Sequence, residues 1–266
     1  MSVHQSRLKL ALQDLWAGLS SIYLWPLLGW QDIKQRYRRS AIGPFWLTLS
    51  YGTLILGMGL LYGKLLQQDM SEYLPYLAVG FVAWMLISTL VTEACSAFTS
   101  AEGYITQMKL PYTVHVLRVV WRNVLIFAHN FIIVIIVMII SPKPFSWTLL
   151  TVPLGVLVIA ANGLWIGIVF GLLCARFRDF TQVIGTLVQV AFFLTPVMWR
   201  PEMIGRNRWA ADWNPVHHLL EIVRGPIIAG SVSAVSWAVS VGVAVVGLAL
   251  AVSLLARYRS RIAYWL

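Results

Sequence analysis

The run VSAVSWAVSVGVAVVGLALAVSLL, residues 232–255, carries 24 residues without a single charged side chain. A helix needs about 20 predominantly apolar residues to cross a hydrocarbon core about 30 Å thick, and this run supplies them. Working back along the chain, residues 42–61, 74–98, 117–140 and 149–173 meet the same requirement. Residues 183–199 form a shorter stretch interrupted by Pro196. The expected fold is therefore an all-α membrane protein with six transmembrane helices, which puts both termini on one side.

Composition agrees. The chain is 59% hydrophobic and 11% charged, whereas soluble domains run near 45–50% apolar and roughly 25% charged. Lipid must cover what so few polar residues cannot. The net charge of +10 points away from nucleic acid, because the basic residues sit in short clusters beside apolar spans. Such clusters orient membrane proteins, aided by anionic lipid at the cytoplasmic leaflet. With the N-terminus inside, fourteen of the twenty Lys and Arg residues fall in inner segments. Both termini are thus expected in the cytoplasm. The organisation expected is one membrane domain over 1–266, with an interface region at 1–40, a six-helix core at 42–255 and a tail at 256–266. Cys95 and Cys174 fall inside spans, with no metal or disulfide spacing, and read as small apolar residues. No short apolar core followed by a cleavage site opens the chain, so no cleaved signal peptide is expected.

Outside the spans, Leu8, Leu12, Leu15, Leu19 and Ile22 recur at three- and four-residue steps, with Gln5, Lys9, Gln13 and Asp14 mostly between them. That period predicts an amphipathic helix lying in the interface. Pro26 and Gly29 are expected to break the chain before the basic run Lys34, Arg36, Arg38, Arg39. This run either anchors the first span or takes the pyrophosphate of a lipid carrier, since guanidinium groups bind phosphate bidentately. Residues 200–230 are too polar to span and too apolar for a free loop; short helices dipping back into the outer face fit them.

No phosphate-binding loop is present. The glycine sets Gly59/Gly63 and Gly163/Gly167/Gly171 lack a following Lys-Ser/Thr, and their four-residue spacing suits close helix contact instead. Intramembrane ionisable residues are few: Glu93 near the inner end of the second span, Arg118 and Arg122 at the start of the third, and His129 at mid-span. That supply is thin for a proton relay. The aromatics Trp46, Tyr51, Tyr62, Phe81, Trp84, Phe192, Phe193 and Trp199 form either an interface belt or the wall of a sugar channel. In the inner segment 99–111, Ser100 is placed to cap a short helix, with Glu102 at its positive end, Lys109 at its negative end and Pro111 closing it. Such a segment is either a lever for a partner or an ordinary connection.

Residues 30–46, WQDIKQRYRRSAIGPFW, are similar to the signature Arg-Asp-Leu-Lys-x-Arg-Tyr-x-x-Ser-x-Leu-Gly-x-x-Trp, with Gln31 where the signature often has Arg. The further motifs Lys109-Leu-Pro111, Arg176-Phe-Arg-Asp179, Phe193-Leu-Thr-Pro-Val197, Asn214-Pro-Val-His217 and Tyr264-Trp265 follow in order. Together they resemble the permease subunit of the polysaccharide-export branch of ABC transporters, which moves O-antigen, capsule and teichoic acid chains. The resemblance implies a homodimer paired with two cytoplasmic ATP-binding subunits in the bacterial inner membrane. ATP and Mg would sit on those partners, and this chain would bind no cofactor and catalyse no reaction. The cargo implied is polysaccharide on undecaprenyl diphosphate, O-antigen foremost. Contacts to the ATPase would come from Ser100, Glu102, Tyr104, Met108, Lys109, Arg176, Arg178 and Asp179. A periplasmic gate over 205–228 would use Asn214, Pro215, His217, His218, Glu221 and Arg224. Two rivals remain: a membrane enzyme acting on polyprenyl phosphates through Glu202, Asp212, His217, His218 or Glu221, and an ABC permease for drugs or lipids.

Overall fold

The computed structural model describes residues 2–38, 40, 42–43, 45–141 and 146–266, those before Arg7 by backbone alone. Among them there is no strand. The helices are α1 (Ser2–Ser20), α2 (Leu24–Arg36), α3 (Phe45–Leu65), α4 (Met70–Ala94), α5 (Glu102–Gln107), α6 (Tyr112–Ile140), α7 (Val152–Arg176), α8 (Phe180–Leu194), α9 (Trp209–Asp212), α10 (Pro215–Ile228), α11 (Ala234–Tyr258) and α12 (Ile262–Trp265). Five are long and apolar enough to cross a membrane: α3, α4, α6, α7 extended at its start by the 3₁₀ turn Trp147–Thr151, and α11 continued through α12. The fifth expected span is shorter. α8 ends at Leu194, one residue before Thr195-Pro196, because proline disfavours the helical conformation in the residue before it.

α4 is the axis of the subunit. Every residue from Tyr73 to Ile87 is buried, as a helix apolar on all faces requires. Asp69 caps its start by accepting the Ser71 N–H. α6, α7, α3 and α10 pack around it. Small residues set the spacing: Gly59 and Gly63 of α3 meet Leu74 and Met70, while Gly163, Gly167 and Gly171 of α7 meet Leu90, Val116 and Phe98. The glycine sets therefore serve packing within one subunit. Behind them, α11 lays Ser236, Ser240, Ala244, Gly247, Ala251 and Leu255 toward the core. Gly247 admits the ring of Trp165, whose Nε1 donates to Asn162 Oδ1 at 2.9 Å. By contrast α3 buries only Thr48, Ile55, Gly59 and Gly63, and α8 only Ile184.

Two local expectations are corrected. Pro26 and Gly29 do not break the chain: α2 runs through both. Pro26 stands in the first turn, where its missing N–H has no helical acceptor to lose. Gly29 packs against the Arg118 carbonyl and the Trp121 ring, where a Cβ would sit only 3.0 and 3.1 Å from them. Nor does Ser100 cap α5. The chain enters α5 through a 3₁₀ turn, Thr99–Ala101, with no side-chain cap, and the Ser100 N–H goes to the Ser96 carbonyl.

α1 lies along α6 and α11. Leu8, Leu12 and Leu19 face outward while Asp14 is buried. The Asp14 carboxylate accepts the Tyr112 and Thr113 N–H groups and the Thr113 hydroxyl, and pairs with Arg259 Nε at 3.0 Å. A carboxylate so placed satisfies the free donors at the start of α6 from another helix. Both ends of the chain consequently lie at one end of the molecule.

Candidate functional site

That end, called inner below, holds a charge network at the root of the basic run. Asp32 of α2 receives both Arg118 (Nε at 2.6 Å, and a second, short bond from Nη2) and Arg122 (Nη1, 2.6 Å). Glu93 of α4 receives Arg122 Nη2 at 2.7 Å, Asn123 Nδ2 at 2.7 Å and Arg36 Nη2 at 2.9 Å. Three guanidinium groups thus share two carboxylates, and Arg118 Nη1 is buried without an acceptor. The surplus is one positive charge. Arg118 also lies over the Tyr104 ring of α5 at 5.4 Å, so the exposed inner segment touches the network directly.

Of the basic run, Arg36 is committed to Glu93, Lys34 rests over the Trp30 ring at 5.8 Å, and Arg38 is exposed in the turn after α2. Arg39 lies outside the described residues. A cavity of about 210 Å³ above the network is lined by Arg36, Tyr51, Thr89, Glu93, Asn123 and Asn130 among others. The expected coupling residues Glu102, Met108, Lys109, Arg176, Arg178 and Asp179 are all exposed, the first three around α5, Arg176 at the end of α7, and Arg178 and Asp179 in the turn before α8. Tyr104 is half-buried, as its contact with Arg118 demands.

The channel aromatics divide into two groups. Phe81 and Trp84 pack on Phe192 at 6.0 and 5.5 Å, and Phe192 on Phe193 at 5.4 Å. Trp46, Tyr51 and Tyr62 lie on α3, and among the described residues no ring pair joins them to that group. Phe81 and Trp84 are buried in the subunit, whereas Phe193 is 71% exposed.

At the opposite, outer end the chain leaves α8 through a run of turns and bends over 195–199, and carbonyls along it accept from side chains. Tyr73 donates to Met198 O at 2.8 Å, Tyr76 to Trp199 O at 2.9 Å and Pro196 O at 3.2 Å, and Arg224 Nη1 to Pro196 O at 2.7 Å. Arg224 is 2% exposed. It forks onto Glu221 and stacks on the Tyr76 ring at 4.2 Å. Asn214 caps α10 through the Val216 N–H and donates to Thr195 Oγ1, with Pro215 in the first turn. His218 bridges Ser236 Oγ and the Asp212 carbonyl. His217 is buried with Nδ1 unpartnered; burial, and next the Arg224 guanidinium, push it down to about 4. The expected gate residues are therefore a packed clasp. Sequence reasoning placed Tyr73 and Tyr76 only among belt or channel aromatics and left Asp32, Glu93, Arg118 and Arg122 unconnected; opposite charges at the inner ends of successive helices were the available signal.

A family model described as ABC-2 type transporter matches residues 23–228, a segment that includes the network, α5 and the outer clasp. The chain belongs to the ABC-2 type transporter family. Within the ABC-2 family it is similar to the O-antigen export system permease protein RfbA of Myxococcus xanthus, at 25% identity over 173 residues, 64% of this chain and 65% of the relative. The chain thus spans a little under two thirds of that relative's length. A second relative of the same description, from Klebsiella pneumoniae, is 20% identical over 195 residues, covering 71% and 74% of the two chains.

Proposed function

We propose that this chain is the membrane-spanning subunit of an ATP-driven exporter that moves polysaccharide carried on undecaprenyl diphosphate. O-antigen is the best-supported cargo, because the similar proteins from both organisms are described as O-antigen export permeases; capsule and teichoic acid are the alternatives within the same architecture. ATP and Mg bind the partner, since this chain carries no phosphate-binding loop. Six crossings reconcile the termini with the five long helices: α8 starts beside the inner turn and the clasped segment after it reaches the outer end, so α8 with 195–199 completes the sixth. The positive-inside bias places the inner end in the cytoplasm. The nearly uncovered faces of α3 and α8 are where a second copy closes the channel, bringing the two groups of aromatics to one wall.

The observation that carries the reading is the partly buried Asp32–Arg118–Arg122–Glu93 network, which ties the basic run to α4 and α6 and, through Tyr104, to the exposed α5. A push on α5 from a nucleotide-hydrolysing partner reaches Arg118, and through it the helices that must part. The network's residual positive charge, together with Lys34 and Arg38 of the same basic run, suits a carrier pyrophosphate. In the gate step α10 moves together with 195–199, because Arg224 and Tyr76 bind them as one piece.

The test is Lys34→Glu with Arg38→Glu, two residues without a carboxylate partner among the described residues. Surface polysaccharide should disappear while the amount of subunit in the membrane stays normal. Undiminished surface polysaccharide would overturn the carrier assignment.

A further inference from the structure

A second basic site lies away from that network. Arg7 of α1, Arg176 at the end of α7, Arg257 of α11 and Arg261 just beyond it line one cavity of about 730 Å³ at the inner end. No carboxylate lines it, and among the described residues none of the four has one within ion-pair distance. Their neighbour Arg259 shows the contrast, being taken by Asp14 at 3.0 Å. All four are exposed, so solvent screens their mutual repulsion, but guanidinium groups stay charged at any physiological pH and an anion entering the space they share gains from all of them. The carbonyl end of α7 would itself repel an anion; Arg176 stands on that end and offsets it.

Depth identifies the occupant. One to two turns into the membrane from the arginines, the same cavity is walled by Val169, Leu172, Leu173 and Leu254. Aromatic rings fix the forks at the boundary: Arg176 lies over Phe177 at 5.0 Å and over Trp265 at 5.4 Å, and Arg257 over Tyr258 at 5.4 Å. The walls are apolar where acyl chains run and cationic where headgroup phosphate lies. With no carboxylate to receive an ammonium group, zwitterionic headgroups gain little there.

We propose that this cavity is a binding site for a net-anionic phospholipid of the inner leaflet, the headgroup phosphate held by Arg7, Arg176, Arg257 and Arg261. The assignment rests on the membrane orientation given above but not on the cargo, and its test reads no export.

The full-length subunit, purified in detergent and mixed with cardiolipin and phosphatidylcholine in equal amounts, should retain cardiolipin selectively in native mass spectra. Arg257→Gln with Arg261→Gln should lower that selectivity about 30-fold, at roughly a tenfold step or less per surface cation lost. Arg257→Lys with Arg261→Lys should keep most of it, which separates lost charge from lost fold. Added inorganic phosphate at millimolar concentration should not displace the lipid; if it does, the site reads phosphate alone and the lipid assignment fails. Equal retention of the two lipids by the unaltered chain, or unchanged selectivity in the Gln variant, would overturn the proposal. So would expulsion of the lipid by a bound ATPase subunit, which would make the cavity a partner contact.

Discussion

The two ends of the subunit hold their helices by different chemistry. At the inner end side chains bind side chains: Asp32 and Glu93 gather Arg36, Arg118 and Arg122, which ties α2, α4 and α6 together. At the outer end side chains bind backbone: Tyr73, Tyr76 and Arg224 take the carbonyls that α8 leaves open at 196–199. The inner network joins elements already complete as helices, and its charges can be shared or exchanged as those elements move. The outer clasp replaces missing helix hydrogen bonds, which an unpaired carbonyl at membrane depth would feel at several kcal/mol. One end can exchange its pairs, and the other holds an irregular segment closed.

The comparison breaks hardest at Asp32. Asp32→Ala leaves the partly buried Arg118 and Arg122 with too few partners at once, which costs about 3 kcal/mol, between the exposed and the fully buried case. The variant should unfold at markedly lower temperature in detergent, and unfolding unchanged from the parent would mean the network is not structural. At the outer end Arg224→Lys keeps the charge but not the planar fork that reaches Glu221 and Pro196 O together. A loss of about 2–3 kcal/mol in thermal unfolding is expected; full tolerance of Lys would show that charge alone suffices there. Tyr76→Phe removes only the hydroxyl shared between Pro196 O and Trp199 O, for about 1 kcal/mol. Because that loss exposes the seal and not the network, proteolysis near residues 195–200 should rise without any change at α5.

The sequence made the two ends unequally legible. The spans followed from apolar runs, and Asp32, Glu93, Arg118 and Arg122 were visible as rare charges near helix ends. Their pairing was not, since hydropathy does not say which neighbours share a side of the bundle. The outer clasp was less visible still. Tyr73 and Tyr76 look like any interface aromatics, and their partners are backbone carbonyls, which no residue type announces. Only Pro196, by stopping α8, marked where acceptors would be left over. Pro26 misled for a related reason: a proline breaks a helix or starts one according to its place in the first turn, and that place is set by where α2 begins. Ser100 failed because capping depends on the turn before the helix, and here a 3₁₀ turn takes that place.

The smallest effect separates the clasp from its own histidine. His217 faces Arg224, Glu221, His218 and Asp212, and its protonation in place is pushed from the ordinary 6.5 down to about 4. A folded pKa below the unfolded value means the unfolded chain takes up the proton first as pH falls. Stability is therefore unaffected above about pH 7, declines as pH drops through 6.5, and goes on declining until about 4. Down to pH 6 the loss stays under about 1 kcal/mol, which a thermal-unfolding series between pH 7.5 and about 5 can follow. His217→Gln has no such proton to bind and should flatten that slope, while Asp32→Ala, at the other end of the molecule, should leave it unchanged. A slope that survives His217→Gln would place the acid sensitivity elsewhere and make His217 a packing residue only.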